Sequence, residues 1–525
     1  MRYVEQKCPS DYLNDINCSN LVRETLYWVC KEGYDPYGFF MEDDLYPIST
    51  SEHYVRVVSY LQECINAHRK IVICGDYDCD GICSTTLLVM GLQECGITPG
   101  YYIPNRNKDG YGLSTKLVQQ FYTKGYEVII CVDNGVVAHD AIDLAYQLGI
   151  EVVILDHHEM DHKTMQYPYL LHPLLMEEEY HYLCGSGVVF EVLRSITKLS
   201  PYKVMLAALA AISDMMLLWG QNRRVVRIGL RVMREYITPL RYLVEGEEID
   251  EMTLALKLAP KINAVGRMYD RANPNQLVKY LLSEDASVLS TVAKQIDKIN
   301  EDRRCVSQTI QQQVIEKIDP SKEYILSYGD YHEGVVGLVA SHLVHTYHKP
   351  VFVLANENGK LKGSCRSVSS IDLIDMLREC PHLDTFGGHK AAGGLSLTED
   401  KLEAFERYIQ EYMNTHVIQE DLQEYIALPE EDFTLPNLHE LSLLRPYLRI
   451  QEEPLYRLDH LKMSKAVFMS EGKHAKWTLN QTSEVVYFQI PKEVLERESI
   501  SVVGTLKISV YKGRSKAVFT VKEAI

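Results

Sequence analysis

Residues 72–88 read VICGDYDCDGICSTTLL, and Asp76, Asp78 and Asp80 stand within five positions directly after an apolar run. Like charges this close repel one another and favour protonation unless a cation or several hydrogen-bond donors compensate them. Aspartate and glycine are also ordinary turn residues, so a polar turn that closes a strand is the simpler interpretation. This stretch alone does not decide between a turn and a metal site.

The same pattern of an apolar run followed by acid or glycine occurs in KIVICGD (70–76), EVIICVDNG (127–135) and IEVVILDHHE (150–159). The segments between these runs, such as STTLLVMGLQECG (84–96) and AHDAIDLAYQLG (138–149), have helical periodicity. Alternation of strand and helix predicts a parallel sheet with right-handed crossovers. Ligands of such sheets bind beyond the carboxyl ends of the strands, which is where the polar residues of all three runs are expected.

The polar residues at this predicted edge are of two kinds, carboxylates and imidazoles. Divalent cations such as Mg²⁺ and Mn²⁺ prefer carboxylate oxygen, and imidazole also suits ions of the Mn²⁺ class. The sequence therefore favours a catalytic centre for a pair of Mn²⁺ or Mg²⁺ ions over a thiolate zinc site, with a structural metal or hydrogen-bonded turns as the alternatives. The residues concerned are Asp76, Asp78, Asp80, Asp133, Asp156, His157 and His158.

The stretch VMLAALAAISDMMLLW (204–219) is nearly long enough to suggest a membrane span. It contains Asp214, and a charge at membrane depth is costly, so a buried helix of a soluble protein is the better interpretation. An acid in such surroundings is seldom tolerated without a partner. Asp214 is therefore a candidate for a further carboxylate of the metal centre.

Composition indicates a folded protein of several domains, with 525 residues, 46% hydrophobic and 24% charged residues. The first twenty residues have no apolar core of the signal-peptide type. No two of the thirteen cysteines have the C-x-x-C spacing, which argues against zinc knuckles and a disulfide framework. We therefore expect a protein of the reducing cytoplasm that is not embedded in a membrane.

The net charge of −18 is unusual for a protein that binds a polyanion. The charge is uneven, because residues 399–432 contain eleven acids, whereas residues 223–234 contain five arginines. Four of these arginines (223, 227, 231 and 234) recur at helical spacing on one face, for which a solvated helix face is the simpler interpretation. Net charge therefore does not exclude a nucleic acid as partner.

The motifs DYDCDG (76–81), VDNG (132–135), DHH (156–158) and ISDMM (212–216) resemble the four motifs of the DHH phosphoesterase superfamily. The rest of the chain is similar to its RecJ family, the bacterial exonucleases specific for single-stranded DNA. The stretches that carry this similarity are YIPNRNKDGYGLS, CGSGVVFEVL, QNRRVVRIGL, LAPKINAVGR, YHEGVVGLVASHLVHTYHKPVFVLA, KGSCRSVSSIDLIDML and FGGHKAAGGLSL.

The resemblance implies an α/β fold in which a parallel-sheet DHH domain is linked by helices to a smaller α/β DHHA1 domain, followed by a β-barrel (OB-like) domain. The boundaries that we predict are 1–50 for an N-terminal segment, 51–235 for the DHH domain, 236–320 for the helical connector, 321–415 for the DHHA1 domain and 425–525 for the OB-like domain.

The resemblance also assigns roles within the metal centre. It implies that Asp76, Asp78 and Asp80 bind the metals, that Asp133 bridges them, and that His157 and Asp214 bind the second ion. His158 is expected to contact the scissile phosphate or to donate a proton, and Asp156 to orient a neighbouring imidazole. Of these residues, His158, Asp133 and Asp156 form the expected catalytic set.

A second group of residues is expected to bind phosphate. The stretch FGGHKAAGG (386–394) places glycines beside His389 and an alanine pair compatible with a helix, so that backbone N–H groups can approach a phosphate, although a structural turn is the simpler interpretation. Arg366 and Ser364 of KGSCRS can bind phosphate through a planar fork and a hydroxyl. Arg267 of KINAVGR is a further candidate, with an interdomain ion pair as the alternative. The phosphate-binding set is Arg267, Ser364, Arg366, Gly388 and His389.

From about residue 425 the pattern changes to short alternating strands, and the resemblance implies an oligonucleotide-binding fold. Its lysines and arginine would supply a cationic surface, and Trp477 or Tyr511 could stack on bases. Protection of sheet edges by lysine is the alternative. The basic residues are Lys473, Lys476, Lys507, Lys512, Arg514 and Lys516.

We therefore expect a metal-dependent exonuclease that degrades single-stranded DNA from the 5′ end to mononucleotides in recombination and repair. The polarity and the product are implied by the resemblance, as is cooperation with a helicase and a single-strand-binding protein, and we expect a monomer. One alternative is a DHH phosphodiesterase acting on short oligonucleotides or cyclic dinucleotides. The other is a scaffold of the same fold that binds DNA without cutting it.

Overall fold

The computed structural model describes residues 2–40, 44–105, 109–419, 422–511 and 513–525. The chain forms two compact units, one made of Met1–Asp44 and Glu420–Ile525, the other of Leu45–Gln419. In chain order, the strands are β1 (Arg2–Glu5), β2 (Ile71–Cys74), β3 (Gly100–Tyr102), β4 (Val128–Val132), β5 (Glu151–Leu155), β6 (Leu170–Leu171), β7 (Ile325–Gly329), β8 (Val351–Glu357), β9 (Lys360–Arg366), β10 (Thr385–His389), β11 (Ala392–Thr398), β12 (Leu422–Ala427), β13 (Tyr456–Lys462), β14 (Val467–Met469), β15 (His474–Thr478), β16 (Ser483–Phe488), β17 (Ser499–Tyr511) and β18 (Arg514–Ala524).

The α-helices are α1 (Asn20–Cys30), α2 (Glu52–Asn66), α3 (Cys79–Glu94), α4 (Thr115–Thr123), α5 (His139–Gln147), α6 (Gly185–Ile196), α7 (Pro201–Ser213), α8 (Gly220–Glu235), α9 (Pro239–Leu243), α10 (Glu251–Thr253), α11 (Ala259–Arg267), α12 (Asn275–Leu281), α13 (Ala286–Ile315), α14 (Glu333–Tyr347), α15 (Leu373–Arg378), α16 (Leu402–Thr415), α17 (Leu435–Ser442) and α18 (Lys492–Leu495).

The larger unit begins with a five-stranded sheet of order β3-β2-β4-β5-β6 in which every pair is parallel. Every residue of β2 and β4 is buried, as expected for apolar strands covered on both faces. The register pairs Cys74 with Cys131 and Val132 with Leu155, so the three strands end at one edge. The predicted parallel α/β sheet is confirmed.

Helices α3, α6 and α7 pack against one another. Asp80 of the predicted metal centre lies in α3, and Asp214 follows α7. Gly91 of α3 lies against Leu193 of α6, where a Cβ atom would come within 2.2 Å of the leucine side chain. Helix α7 is almost wholly buried and ends at Asp214, its C-cap residue. No helix among the described residues is long and apolar enough to span a bilayer.

A helical segment follows, and it contains a π-helical turn at Leu254–Leu258 directly before α11. The second sheet of this unit has the order β10-β11-β9-β8-β7, in which only β7 and β8 run parallel among the described strands. Helix α14 packs on this sheet, with Val335, Val339 and Leu343 fully or almost fully buried. This smaller α/β layer is the predicted second α/β domain.

The smaller unit is built on an eight-stranded sheet of order β1-β12-β13-β17-β18-β16-β15-β14. Strand β1 at one edge pairs in parallel with β12, so the N-terminal segment belongs to the same sheet as the C-terminal strands. The strand ladder does not close between β1 and β14 among the described residues, and the β-rich C-terminal fold that the sequence predicts is confirmed.

Candidate metal centre

Three carboxylates reach the edge of the parallel sheet because they directly follow its strands. Asp133 and Asp156 come immediately after β4 and β5, and Asp76 comes two residues after β2. Asp133 has a left-handed backbone with φ of +59°, uncommon for a residue other than glycine, and its N–H donates to Leu155 O at 3.0 Å. The chain therefore turns sharply at the strand end, with the carboxylate 2% exposed.

Asn134 fixes this turn in place. Its side-chain amide donates to Cys74 O at 3.0 Å and to Val132 O at 2.9 Å, which joins the ends of β2 and β4. Its Oδ1 atom accepts a hydrogen bond from Leu113 N at 3.2 Å. The asparagine of the motif VDNG thus holds the ends of β2 and β4 together.

His157 lies at the centre of the acidic cluster. Its Nε2 atom is 3.2 Å from Asp133 Oδ1, 3.5 Å from Asp214 Oδ2 and 3.9 Å from Asp80 Oδ2. Three groups of side chains each place their ligand atoms within 4.8 Å of one another: Asp76, Asp78 and Asp133; Asp80, His157 and Asp214; and Asp133, His157 and His158. The structure thus brings together all the residues that the sequence analysis assigned to the metals, and His158 with them.

Backbone N–H groups compensate part of the negative charge. Asp80 is 1% exposed, and its two carboxylate oxygens accept hydrogen bonds of 2.7 Å from Gly185 N and Ser186 N at the start of α6. Asp78 caps α3, and its Oδ1 atom accepts from Gly81 N at 3.0 Å. A helix N-terminus favours negative charge, so two of the three crowded aspartates are stabilised by helix ends.

Glycine is required where the helix ends approach the carboxylates. A Cβ atom on Gly185 would lie 2.7 Å from Asp133 Cβ, and one on Gly81 would lie 2.5 Å from Asp76 O. Real Cβ atoms do not come so close to other heavy atoms, so neither position accepts a side chain without movement of an aspartate. These two glycines therefore allow the acids to come within metal-binding distance of one another.

The raised pKa values of the buried acids reflect an excess of negative charge in the cluster. Burial, followed by the charges of Asp80 and Asp78, raises the pKa of Asp133 well above its ordinary value. The same causes raise the pKa of Asp214 to about 8. Burial lowers the pKa of His157, although Asp80 opposes this, and the neutral imidazole is the form that binds a metal.

The residues fit a hard divalent cation. Among the described residues, Asp133 Oδ1 is buried and accepts no hydrogen bond, and a divalent ion would satisfy it. The donors are carboxylates and one or two imidazoles, which suits Mn²⁺ or Mg²⁺. The predicted metal centre is thus supported by geometry, burial and charge.

Asp156 has a different role from the other acids, because its oxygens are already engaged by the protein. It is fully buried and accepts from Val136 N at 3.1 Å, from His157 N at 2.8 Å and from His158 Nδ1 at 2.7 Å. Although burial raises the pKa of Asp156, the hydrogen bond from His158 and its charge lower it overall. Asp156 therefore holds the imidazole of His158 by a hydrogen bond, which is the geometry that an orienting carboxylate requires.

His158 points its other nitrogen away from Asp156. Burial lowers its pKa, but the hydrogen bond and the charge of Asp156 outweigh burial and raise the pKa to about 9. The side chain is 43% exposed. Nε2 is thus the nitrogen that Asp156 does not engage.

Two residues near the centre were missed by the sequence analysis. The hydroxyl of Tyr111 donates to Asp133 O at 3.4 Å and lies 3.3 Å from His158 Nε2. Asn263 accepts from Cys79 N at 2.8 Å and donates to Ser213 Oγ at 3.4 Å, which ties the start of α3 to the end of α7. An aromatic residue between two glycines, in DGYG, was the available signal for Tyr111, whereas Asn263 had none beyond its place in the motif KINAVGR.

The predicted phosphate-binding residues Ser364 and Arg366 lie together on β9. Arg366 donates through Nη1 to Ser364 Oγ at 2.8 Å and to Cys365 O at 2.7 Å, and through Nε to Ser341 Oγ at 3.1 Å. Ser364 Oγ in turn lies 3.3 Å from Gly393 O. The guanidinium is therefore held in one orientation on the sheet.

The stretch FGGHKAAGG forms the hairpin of β10 and β11, in which Gly388 pairs with Gly393 and His389 pairs with Ala392. The expectation of a helix-compatible alanine pair was wrong, because strand pairing with β9 places Ala392 in the sheet. Gly388 has a φ of +137°, and a Cβ atom there would lie 2.4 Å from Ala392 O. Glycine is thus needed for the close approach of the two hairpin strands.

The hairpin approaches Glu159, the residue that directly follows His158 of the metal centre. His389 Nδ1 lies 3.8 Å from the carboxylate of Glu159, the residue directly after the DHH motif. Arg267, at the end of α11, donates through Nη1 to Gly334 O at 3.3 Å. The structure thus brings His389 to the rim of the metal centre and places Arg267 against the second α/β layer.

Only part of the cationic and aromatic surface that we predicted for the smaller unit is exposed among the described residues. Trp477 is 1% exposed and its indole N–H donates to Lys462 O at 3.0 Å, so its expected stacking on bases was wrong. Tyr511 is 71% exposed and remains a candidate. Lys476 and Lys516 both pair with Glu484. Lys473, Lys507 and Arg514 are exposed, and Lys512 lies outside the described residues.

The arginines of α8 do not form a simple solvated face. Arg223 is 4% exposed, and the guanidinium of Arg224 lies 3.6 Å from the ring centroid of Tyr46. Arg234 donates to Ile249 O at 2.8 Å. The expected solvated face was therefore wrong for Arg223, since much of this helix packs inside the protein.

Comparisons with known proteins agree with this architecture. The chain matches the family models of the DHH family N-terminal domain over residues 70–217, of the DHHA1 domain over residues 321–415 and of the RecJ OB domain over residues 426–523. The crystal structure of RecJ in complex with Mn²⁺ from Thermus thermophilus superposes with a TM-score of 0.86 at 24% identity, over 100% of this chain and 79% of that one. A second structure, exonuclease RecJ bound to manganese, has a TM-score of 0.62 at 28% identity, over 71% of this chain and 97% of that one.

Several relatives carry the name single-stranded-DNA-specific exonuclease RecJ. The protein from Bacillus subtilis (strain 168) is 30% identical over 494 residues, which are 88% of this chain but only 62% of the relative's length. The protein from Dickeya dadantii (strain 3937) is 32% identical over 393 residues, 67% of each chain. On this similarity, and with its DHH, DHHA1 and RecJ OB domains in order, the chain belongs to the RecJ family of DHH proteins.

Proposed function

We propose that this protein is an exonuclease that requires Mn²⁺ or Mg²⁺ and hydrolyses single-stranded DNA from the 5′ end to mononucleotides, in DNA recombination and repair. The substrate class follows the names of its relatives. The 5′ to 3′ polarity and the mononucleotide product are inferred from the family resemblance. Because the chain spans 62% of the B. subtilis relative, each of these points requires its own test.

The observation that carries the proposal is the closeness of two dissimilar sites. One is the cluster of carboxylates around His157, where Nε2 lies 3.2 Å from Asp133 Oδ1. The other is the hairpin that bears His389, whose Nδ1 lies 3.8 Å from Glu159 at the rim of the cluster. A metal centre beside a phosphate-binding hairpin suits cleavage of a phosphodiester whose neighbouring phosphate is bound.

In this proposal Asp76, Asp78, Asp80, Asp133, His157 and Asp214 hold the ions. Bound divalent ions would lower the pKa of a water molecule and stabilise the charge that develops on phosphate oxygens. His158 is held by Asp156 through Nδ1, so its Nε2 faces the substrate side and can donate a proton or a hydrogen bond to a phosphate oxygen. Tyr111, 3.3 Å from that nitrogen, fixes its direction.

The phosphate-binding residues would hold the strand for repeated cleavage. Arg366 offers a fork that Ser341, Ser364 and the backbone already orient, so little conformational freedom is lost when phosphate binds. Arg267, His389 and the backbone beside Gly388 complete the set that we propose for the substrate. The exposed basic residues of the smaller unit and Tyr511 are proposed to bind single-stranded DNA as well.

The proposal extends to the setting in which the protein acts. We infer a monomer in the cytoplasm that trims strands opened by a helicase, together with a single-strand-binding protein. Thirteen free cysteines suit a reducing compartment. The domain boundaries that we predicted, from the N-terminal segment 1–50 to the OB-like domain 425–525, are part of the same proposal.

One assay tests the activity. Oligonucleotides labelled at the 5′ or the 3′ end, as single strands or duplexes, are incubated with protein and Mn²⁺ and sampled early. Immediate release of labelled mononucleotide from the 5′ end of single strands is the expected result. Release first from the 3′ label would contradict the polarity, and cleavage of dinucleotides or cyclic dinucleotides alone would identify a small-substrate phosphodiesterase instead. Binding of DNA without any product would identify a scaffold.

A further inference from the structure

The two ring nitrogens of His332 connect the segment after α11 to the start of α14 through hydrogen bonds. His332 is the N-cap residue of α14, and its Nδ1 accepts from Gly334 N at 3.1 Å. Because a backbone N–H is always a donor, the ring proton must lie on Nε2 in the neutral imidazole. Nε2 lies 3.0 Å from Asp270 Oδ1 and therefore donates to that carboxylate.

The contact is closely packed as well as polar. The ring of Tyr269 lies 5.1 Å from the ring of His332, and the His332 side chain is 18% exposed. Gly334 O accepts from Arg267 Nη1 at 3.3 Å, and a Cβ atom on Gly334 would come within 2.0 Å of Arg267 O. We name this contact the clasp, formed by Arg267, Asp270, His332 and Gly334.

One side of the clasp is anchored to the parallel sheet. Asn275 accepts from Ile103 N at 2.9 Å and donates to Ile103 O at 3.0 Å, directly after β3. Asn263 of α11 accepts from Cys79 N at 2.8 Å at the start of α3. The segment from Asn263 to Asn275 is thus fixed to the strand end after β3 and to the loop that presents Asp76 and Asp78.

The other side of the clasp is anchored to the phosphate-binding residues. Ser341, in the middle of α14, accepts from Arg366 Nε at 3.1 Å. Gly337, one turn earlier, leaves room for Ser364, whose Oγ would lie 3.1 Å from a Cβ atom at this position. Helix α14 therefore links His332 at its start to the orientation of Arg366 on β9.

We propose that His332 is a positioning residue, which through Asp270 sets the distance between the metal centre and the phosphate-binding Arg366 on the other side of the clasp. This inference rests on the proposed function, since its purpose is to place a bound phosphate at the correct distance from the cleavage point. Loss of the clasp would leave the metal centre intact, because every residue around His157 lies outside the contact. It would weaken binding of the DNA strand.

The variant His332→Asn removes the hydrogen bond to Asp270 and keeps a side chain that can cap α14. Asparagine is a good N-cap residue and can accept from Gly334 N, but its shorter side chain does not reach Asp270. We expect KM for a single-stranded oligonucleotide to rise about tenfold while kcat stays within about twofold of the wild-type value, the pattern of lost substrate positioning. His345→Asn, at an exposed position in the last turn of the same helix, is the matched control and should leave KM unchanged.

A double-mutant cycle identifies the partner. Asp270→Ala should raise KM as much as His332→Asn, and the double variant should raise it little further, because both changes break the same contact. Additive increases in KM would overturn the pairing of these two residues. An unchanged KM in His332→Asn, or a fall in kcat without a change in KM, would overturn the positioning role.

Two further readouts separate failure of this inference from failure of the proposed function. Binding of a fluorescent single strand is measured by anisotropy in EDTA, where no turnover occurs, and His332→Asn should weaken it about tenfold. Hydrogen–deuterium exchange over residues 268–275 should be faster in both single variants than in the wild type, and the double variant should exchange no faster than either of them. If the wild-type protein does not degrade DNA, the proposed function fails, while these exchange rates still confirm or overturn the clasp.

Discussion

His157 Nε2 lies 3.2 Å from Asp133 Oδ1, and the two side chains come from the ends of the neighbouring parallel strands β5 and β4. At the end of β4 the chain makes a left-handed turn at Asp133. The backbone conformation at the strand end thus decides where the imidazole and the carboxylate meet. Substitutions at this turn should therefore affect metal binding before they affect the fold.

Asp133→Asn should abolish turnover while the protein stays folded. Asparagine tolerates the left-handed conformation and keeps the shape of the side chain, but it lacks the charge that a shared metal ligand supplies. We expect kcat to fall by at least about a hundredfold, since loss of metal stabilisation costs several kcal/mol in the transition state. Steady-state kinetics and Mn²⁺ titration calorimetry measure both effects. Asp140→Asn, on the exposed first turn of α5, is the control, and near-normal activity of Asp133→Asn would refute the bridging role.

Gly185→Ala should disturb the metal centre, whereas Gly187→Ala should not. The new Cβ at position 185 would meet Asp133 Cβ at 2.7 Å, but at position 187 it would meet Leu183, 2.9 Å from Cδ2 and 3.0 Å from Cβ, and none of the metal-centre acids. We expect Gly185→Ala to cost about 1–3 kcal/mol of stability and most of the Mn²⁺ affinity, as overpacked sites do. Thermal unfolding with and without Mn²⁺ compares the two variants. An equal rise in Tm on addition of Mn²⁺ in both variants would show that the close approach at Gly185 does not matter for metal binding.

Arg366→Lys should weaken substrate binding more than it lowers kcat. Lysine cannot reproduce the fork that Ser341, Ser364 and the Cys365 carbonyl hold in place. Loss of a charged hydrogen bond of this kind should raise KM about tenfold or more. The exposed Arg378, paired with Asp375, provides the control substitution Arg378→Lys. A KM equal to that of the wild type would remove Arg366 from the phosphate path.

The loop after the DHH motif should lose stability in acid through Asp161. The backbone N–H of Thr164, followed by the imidazole of His139, holds the pKa of Asp161 below its ordinary value. A carboxyl group whose folded pKa is depressed contributes stability above its unfolded pKa of about 4, and this contribution is lost as pH falls through the folded pKa.

Asp161→Asn should therefore lower Tm at neutral pH and make Tm less sensitive to acid between about pH 4 and pH 2. Scanning calorimetry over this range, with Asp140→Asn as the control, measures the difference. The prediction would be contradicted if Tm fell with decreasing pH as steeply in Asp161→Asn as in the wild type.

The sequence was sufficient to place Asp76, Asp133 and Asp156 at one edge, because alternating strands and helices determine the parallel sheet. It could not give the partners of Asp80, since Gly185 and Ser186 are more than a hundred positions away and are brought near only by packing of α6 against α3. It could not distinguish Asp156 as an orienting carboxylate from the metal-binding acids either. That distinction depends on hydrogen bonds, and before the structure the role was assigned only by resemblance.

The errors have physical causes of the same kind. The alanine pair of FGGHKAAGG suits a helix by local preference, but pairing with β9 overrides that preference. Trp477 alternates with Lys476 along β15, and only the packing of the sheet decides which of the two faces inward. Tertiary contacts, which a single sequence does not display, thus decided both positions.

The hydrogen bonds that Asp80 receives from Gly185 and Ser186 affect how the protein would acquire its ions. We expect these bonds to form when α6 packs, so that the entropy cost of ordering this carboxylate falls on folding and not on ion binding. The protein without ions should then already have the backbone of the loaded one. Exchange of one divalent ion for another would be a local event, which would let the cell's supply of Mn²⁺ or Mg²⁺ determine the occupant without remodelling the chain.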